Sequence, residues 1–301
     1  MIPKELLDQL RYIELYTLKA VRDHQVGDYR SPLRGRGFEF DQHKRYQEGD
    51  DYRQIDWNVT ARMRYPYVKR DFEEKEMSTL IMADLSRSME FATVARSKRE
   101  LLLEITAALA FSAISDNMNV GLLGFTDAIE VDLPLRKGLT QVWKILEALW
   151  DAQPTSRRTS FATALEYLET RLKRSTILFC ISDFITPEDI FASRSLKRLA
   201  QKHDFVPLII EDVWQEAMPK GKGFLRLQDP ELGGEMVFNL SGKKRELYAT
   251  LMRERKVALQ RSLYHLNLDH LFLRTGEPFL DSVIGFFLTR KRVKGFKGMQ
   301  L

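Results

Sequence analysis

The sequence predicts an α/β fold: a doubly wound, mostly parallel sheet with helices on both faces, preceded by an N-terminal helix and an irregular arm. Three observations carry that expectation. Short, continuously apolar runs recur from residue 79 onward, among them "TLIMAD" (79–84), "NVGLLGF" (119–125) and "STILFCIS" (175–182). Stretches of helical length and apolar spacing separate them. Strands that read as unbroken hydrophobic runs are buried on both faces, which is the condition of a parallel sheet covered by its crossover helices.

The elements follow in order. Residues 4–23 place Leu6, Leu7, Leu10, Ile13, Leu15, Leu18 and Val21 near helical spacing, an amphipathic helix. The segment from there to about 78 is irregular and rich in Arg, Asp, Gly and Tyr. A strand is expected at 79–84, a long helix at 97–116 and a second strand at 119–125. "AIEVDL" (128–133) gives a third strand, hairpinned to the second through Thr126 and Asp127. Helices at 139–151 and 161–173 precede the buried strand at 175–182. A helix at 187–202 and a strand at 204–210 come next, then an irregular or hairpin insert at about 211–241. A helix at 242–263, a strand at 268–274 and a helix at 277–291 complete the pattern. The organisation is therefore an N-terminal helix and arm (1–78), a sheet domain (79–291) and a basic tail (292–301).

Composition bounds the function. The chain has 301 residues, 44% hydrophobic and 30% charged, enough for one large or two medium globular domains with a real core. No apolar stretch reaches the roughly 18 residues of a spanning helix. The first residues carry acids from the outset, unlike a secretory signal. Cys180 is the only cysteine, so no intrachain disulfide forms, and a cytoplasmic setting is expected. The net charge of +5 stands over 42 acidic residues and permits an acidic partner without requiring nucleic acid. Basic residues gather at 29–45, at Arg157 and Arg158, and in the tail "TRKRVKGFKGMQL". Solvated surface and a frayed terminus account for them; contact with lipid or nucleic-acid phosphate is the alternative. No zinc-finger spacing or RNA-binding aromatic signature accompanies them, so nucleic acid is not expected.

Chemistry in such a sheet belongs beyond the carboxyl ends of the strands. The first strand ends in "DLSRSM", where Asp84, Ser86 and Ser88 offer three hard oxygen donors. An ordinary turn uses the same residues. A later strand ends at Asp183, and Thr159 stands just before a helix, a position also taken by routine N-caps. If Asp84 and Asp183 end adjacent strands, the three loops meet on one rim. Oxygen-only ligation of this kind suits Mg²⁺ or Mn²⁺, with Ca²⁺ possible. The ion would stay incompletely neutralised and attract a Glu or Asp from another protein.

Asp84-x-Ser86-x-Ser88, then Thr159, then Asp183 resembles the metal-ion-dependent adhesion site (MIDAS) of von Willebrand factor A (vWA) domains. The chain departs from that family at two places: Arg157 and Arg158 stand where Gly-Gly is common, and Phe184 where Gly often follows the last Asp. Catalysis is not expected from these residues. An aspartyl phosphatase would carry an acid at Ser86. None of His24, His43, His203, His265 and His270 sits at a strand end with an acid partner, and no Gly-x-x-x-x-Gly-Lys loop exists.

The arm "RGRGFEFDQHKRYQEGDDYRQIDW" alternates arginines with acids and interleaves aromatics. It reads either as a wrap with packed rings and paired charges or as a docking surface built on Arg34, Arg36, Arg45, Arg53 and Trp57, extended by Arg157 and Arg158. Arg34 to Phe40, Arg45–Tyr46 and Gly49 to Trp57 resemble the signatures of the bacterial family known as domain of unknown function 58 (DUF58). Pro219, Gly223, Asp229, Glu231 and Gly233 ahead of "RELY" agree with it. The resemblance implies a non-enzymatic, metal-dependent protein-interaction adaptor working with a MoxR-type AAA+ ATPase in assembling or activating other complexes. The alternative is a membrane-surface scaffold that binds anionic lipid through its basic tail.

Overall fold

The computed structural model describes residues 2–26, 40–47, 52, 55–63, 65–71, 78–156, 158–216, 218–219, 221, 223–228 and 234–286. In chain order these form α1 (Lys4–Val26), β1 (Phe40–Arg45), α2 (Trp57–Met63), β2 (Tyr67–Asp71), β3 (Ser78–Asp84), α3 (Lys98–Ser115), β4 (Asn119–Phe125), β5 (Ile129–Arg136), α4 (Leu139–Asp151), α5 (Phe161–Arg171), β6 (Ile177–Ser182), α6 (Arg194–Lys202), β7 (Asp204–Glu211), α7 (Val213–Glu216), β8 (Phe224–Gln228), β9 (Glu235–Asn239), α8 (Gly242–His265) and β10 (Leu271–Arg274). Two compact units result: Met1–Arg30 with Met77–Leu301, and Ser31–Glu76.

The first unit holds a six-stranded sheet ordered β10-β7-β6-β3-β4-β5. Every pairing is parallel except β4 with β5, the hairpin expected from the short 126–128 turn. Counting only these six strands along the chain, the order is 3-2-1-4-5-6, that of a doubly wound sheet whose direction reverses between its first and fourth strands. That switch point lies between β3 and β6.

Alternation within the apolar runs builds two cores. Leu80 and Met82 of β3 join Phe125, Cys180, Phe161, Leu165 and Leu196 on the face covered by α5 and α6. Ile81 and Ala83 join Leu122, Ile181 and the side chains of α3 and α4 on the other. α3 has no polar face to spare: Leu101 to Phe111 are all buried, because the sheet lies on one side and α1 packs on the other. Leu6, Leu10 and Ile13 of α1 belong to the same core. The first helix is thus part of the sheet unit, and the grouping of 1–78 as one region does not describe the packing.

β5 forms one outer edge of the sheet. Its exposed positions alternate, Pro134 lies within it, Gln141 Nε2 donates to the Pro134 carbonyl at 2.8 Å, and Arg171 Nη2 donates to the Leu133 carbonyl at 3.0 Å. A helix was expected at 187–202, but only Arg194–Lys202 is α-helical. Ser193 starts it as N-cap, and Asp189 caps a separate 3₁₀ turn at Ile190–Ala192. The insert is an antiparallel hairpin, β8–β9, that exposes Phe224, Met236 and Val237. Of the expected last helix, residues 280–286 are helical; the remainder and the tail at 292–301 lie outside the described residues. Among the described residues no helix is long and apolar enough to cross a membrane.

The second unit pairs β1 with β2 antiparallel. Asp56, from the Ile-Asp-Trp signature, caps α2 by accepting from the amides of Asn58 (3.0 Å) and Val59 (3.2 Å). Tyr67 N donates to Thr60 Oγ1 at 3.0 Å, tying α2 to β2.

Candidate functional site

The switch point gathers the residues singled out at the strand ends. β3 and β6 are hydrogen-bonded neighbours, with Ala83 opposite Ile181, so Asp84 and Asp183 stand just beyond the last paired residues on either side of the crevice. Both side chains are buried, as are Ser86, Ser88 and Thr159. A direct link crosses the switch: Ser182 Oγ donates to Asp84 Oδ2 at 2.5 Å. The other oxygen, Asp84 Oδ1, accepts from Ser86 N at 2.9 Å, the turn that begins the loop. Burial first, and the neighbouring Asp183 second, push the Asp84 carboxyl up to about 7 against the lowering effect of its bonds from Ser182 and Ser86.

The Thr159 loop reaches the same rim through its neighbours. Ser160 N donates to the Thr126 carbonyl at 3.0 Å, just past the end of β4, the strand beside β3. Phe161 stacks on Phe184, the residue after Asp183, with centroids 5.2 Å apart. Two carboxylates fix the loop. Glu130 Oε1 accepts from Thr126 Oγ1 (2.7 Å), Thr155 N (3.0 Å) and Thr155 Oγ1 (2.9 Å). Burial would raise the Glu130 pKa, but these donors, with Ser156 N, outweigh it and hold the carboxyl below its usual value. Glu188 Oε2 accepts from Phe161 N (3.0 Å) and Ala162 N (3.2 Å) at the positive end of α5.

The donor set fits a hard divalent ion in one respect. Ser86 Oγ and Ser88 Oγ are 3.0 Å apart and both buried. Adjacent ligands of an octahedral ion with bonds of about 2.0–2.1 Å stand about 2.9 Å from each other. Among the described residues no cluster of three or more His, Cys, Asp or Glu side chains could hold a metal; the strand-end group is two acids with alcohols.

Sequence reasoning missed the cation already there. Lys98, in the first turn of α3, is completely buried, and its Nζ donates to Asp183 Oδ2 at 2.7 Å. The same nitrogen lies 3.4 Å from the Ser88 carbonyl. Asp183 Oδ1 accepts from Ile185 N at 2.9 Å. On the rim side, Arg255 of α8 donates to the Phe184 carbonyl at 2.8 Å. Burial lowers the Arg255 pKa, and Asp183 is the foremost group opposing that fall. A lysine at a helix start reads as surface in sequence; the one signal available was the largely apolar stretch Leu101–Phe111 that follows it.

Phe184 has φ +52°, a left-handed backbone where a bulky residue is uncommon. That geometry gives a physical reason for glycine at this place in vWA domains. Here the conformation is held by the ring, buried between Phe161 and Phe191, and by Arg255. A further acid, Asp212, closes β7. It is fully buried, accepts from Trp214 N (3.0 Å) and Thr275 Oγ1 (3.0 Å), and is bonded to Thr93 Oγ1, so it pins the 91–97 loop to the β7–β10 end of the sheet.

Of the docking residues, Arg34, Arg36, Arg53 and Arg157 lie outside the described residues. Arg158 is exposed beside Thr159. Arg45 and Trp57 belong to the second unit. The Arg45 guanidinium sits 3.6 Å from the Tyr65 ring centroid, and Trp57 is 71% exposed, so the packed-ring reading of the arm fails for this residue. His203 precedes β7 and His270 precedes β10, at the amino ends of strands and opposite the rim.

The family model described as "Protein of unknown function DUF58" matches residues 42–258, most of the chain. An uncharacterized protein of Mycobacterium bovis, Mb1516, is 28% identical over 290 residues, covering 96% of this chain and 90% of that one. MAV169 of Mycobacterium avium is 26% identical over 139 residues, covering 46% of this chain and 80% of that protein. Among solved structures, BatB from Bacteroides thetaiotaomicron aligns with 14% identity and a TM-score of 0.46, covering 72% of this chain and 98% of that one. A von Willebrand factor type A protein from Catenulispora acidiphila aligns with 16% identity and a TM-score of 0.32, covering 48% and 34%. The strand order, not these scores, defines the fold.

Proposed function

The chain belongs to the DUF58 family, and from that premise we propose that it is a protein-interaction adaptor whose strand-end site recruits an acidic side chain of its partner. One observation carries the reading. Asp84, Ser86 and Ser88 end β3 and Asp183 follows β6 on the two sides of the switch point of a doubly wound sheet, the place where such sheets bind ligands, and the Thr159 loop is tied to the end of the neighbouring strand β4. Ser86 and Ser88 would hold a Mg²⁺ ion, or Mn²⁺ or Ca²⁺, directly, with Asp84, Thr159 and Asp183 around it. Such an ion would supply an open coordination position for a carboxylate from outside. The chain's own residues do the rest: Ser182 and the Ser86 amide orient Asp84, and Glu130 and Glu188 hold the Thr159 loop. Arg158, exposed at the edge of that loop, adds attraction for an acidic surface.

Binding rather than catalysis is the better reading of this chemistry. His203 and His270 stand at the amino ends of β7 and β10, away from any place where they could serve as base to a serine of the rim, and His265 is exposed at the end of α8 ahead of β10. We assign the partner, on family resemblance, to a MoxR-type AAA+ ATPase, and the setting to the cytoplasm. The test is affinity capture from native cells with wild type and Asp84→Ala/Ser86→Ala, each in magnesium and in chelator, after circular dichroism has checked the fold. Loss of the same prey, an AAA+ ATPase among them, in the variant and in chelator is the expected result. Capture that neither change affects rejects the reading.

A further inference from the structure

We propose that Lys98 is the resident cation of the strand-end site, and that a divalent ion binding there must displace its ammonium from Asp183. The inference rests on the metal-site reading above and adds to it a residue no motif assigns. The Lys98 side chain is fully buried, and its nitrogen bonds one acid of the donor set, Asp183 Oδ2 at 2.7 Å on the β6 side, and reaches the backbone carbonyl of Ser88 at 3.4 Å on the β3 side. It also stands 5.8 Å from the Phe91 ring centroid. Its aim is fixed by the chain before it. Ser97 and Glu100 form a reciprocal capping box that locks the first turn of α3, with Ser97 N donating to Glu100 Oε2 at 2.7 Å.

Charge then sets the behaviour of the site. A buried ammonium is costly to desolvate, and its carboxylate partner offsets that cost only while the two remain in contact. Asp183 faces a second cation, Arg255, across the Phe184 carbonyl. The charge of this acid is therefore matched before any metal arrives. An incoming dication meets repulsion from Lys98 and must share or take its counter-ion. Removing the lysine charge leaves the same oxygens in a more negative setting, where a dication binds more tightly. In the wild type Asp84 meets part of the positive charge brought by the metal and a partner's carboxylate meets more of it, so the partner strengthens metal binding that the chain already has.

The experiment is calorimetric titration of Mn²⁺ and of Mg²⁺ into the full chain, comparing wild type with Lys98→Met, Lys98→Gln and Lys98→Arg. The expected result is at least about tenfold tighter binding in the Met and Gln variants and no gain in the Arg variant. If Lys98→Met does not fold, Lys98→Gln, which can still donate to Asp183, carries the comparison. On the wild type, the ¹³Cε signal of Lys98, assigned by its loss in Lys98→Arg, moves on adding Mg²⁺ and not on adding NaCl at equal ionic strength. Binding in the variants without binding in the wild type supports the role of Lys98 while overturning metal use by the natural protein. Equal affinity in all four proteins, or a still lysine signal at metal saturation, overturns the inference and leaves the metal site standing. Absence of binding in every protein overturns both.

Discussion

Breaking the Lys98–Asp183 pair should be among the most damaging single changes in the sheet unit. The nitrogen and oxygen are 2.7 Å apart and the two side chains are 0% and 1% exposed, so water cannot replace either partner. Removing one member of such a pair strands the other charge in the interior, which costs about 3–5 kcal/mol. For a folding unit of this size, 1 kcal/mol shifts the midpoint by about 2–4 °C. Lys98→Met and Asp183→Asn are therefore each expected to lower the melting temperature by about 6–20 °C. The double variant removes both charges and is expected to recover most of the loss, leaving a coupling energy of about 3–5 kcal/mol. Urea unfolding and thermal scanning in chelator-containing buffer measure all four proteins. If each single variant stays within about 1 kcal/mol of wild type, or the double variant costs the sum of the two, the pair is not buried and coupled as described.

The remaining expectations concern the frame around the site. Gly121→Ala should cost about 1–3 kcal/mol in urea unfolding, because the new Cβ falls 2.9 Å from the Leu133 carbonyl oxygen, which belongs to backbone. Gly124→Ala should cost less, since its closest contact is the tip of the Leu85 side chain, which can turn aside. Glu130→Ala frees the amides of Thr155 and Ser156, and hydrogen exchange should speed there while Phe161 and Ala162, held by Glu188, keep their protection. His203 is buried with no hydrogen-bond partner for either ring nitrogen among the described residues. Burial first, then Lys202, hold its pKa below the ordinary 6.5. The unfolded chain then binds the extra proton, so this contribution to stability is present above pH 6.5 and is lost as the pH falls toward the folded pKa. His203→Phe should flatten the decline in stability between about pH 7 and 5; an unchanged slope refutes the assignment.

Much of the frame was legible because burial on two faces writes itself into sequence. β3, β4 and β7 are apolar along nearly their whole length, and each was readable to within a residue. The acids and alcohols of the rim were legible because they interrupt those runs at a turn. What stayed hidden depended on long-range packing. The burial of Lys98 follows from where α3 enters the sheet, and a lysine in a first helical turn carries no local mark of it. The fate of 186–193 was equally invisible: Glu188 caps a different helix, α5, some 26 residues earlier in the chain. Phe184 looked like a departure from a glycine position, but the stack of Phe161 and Phe191 that steadies its backbone comes from two other segments. Helix α1 was read as amphipathic and its Leu6, Leu10 and Ile13 are buried, but Leu15 of the same reading is exposed, and only the structure reveals that the buried side closes over α3.

The outer strand β5 also limits how another protein can take hold. Recruitment by strand addition needs an uninterrupted row of free amides and carbonyls along a sheet margin. Here Pro134 has no amide hydrogen to offer, which interrupts the hydrogen-bonding row of β5. A visiting strand, or a second copy zippering along β5, meets that gap, whereas the rim beyond the carboxyl ends of the strands is reached end-on, down the strand axes.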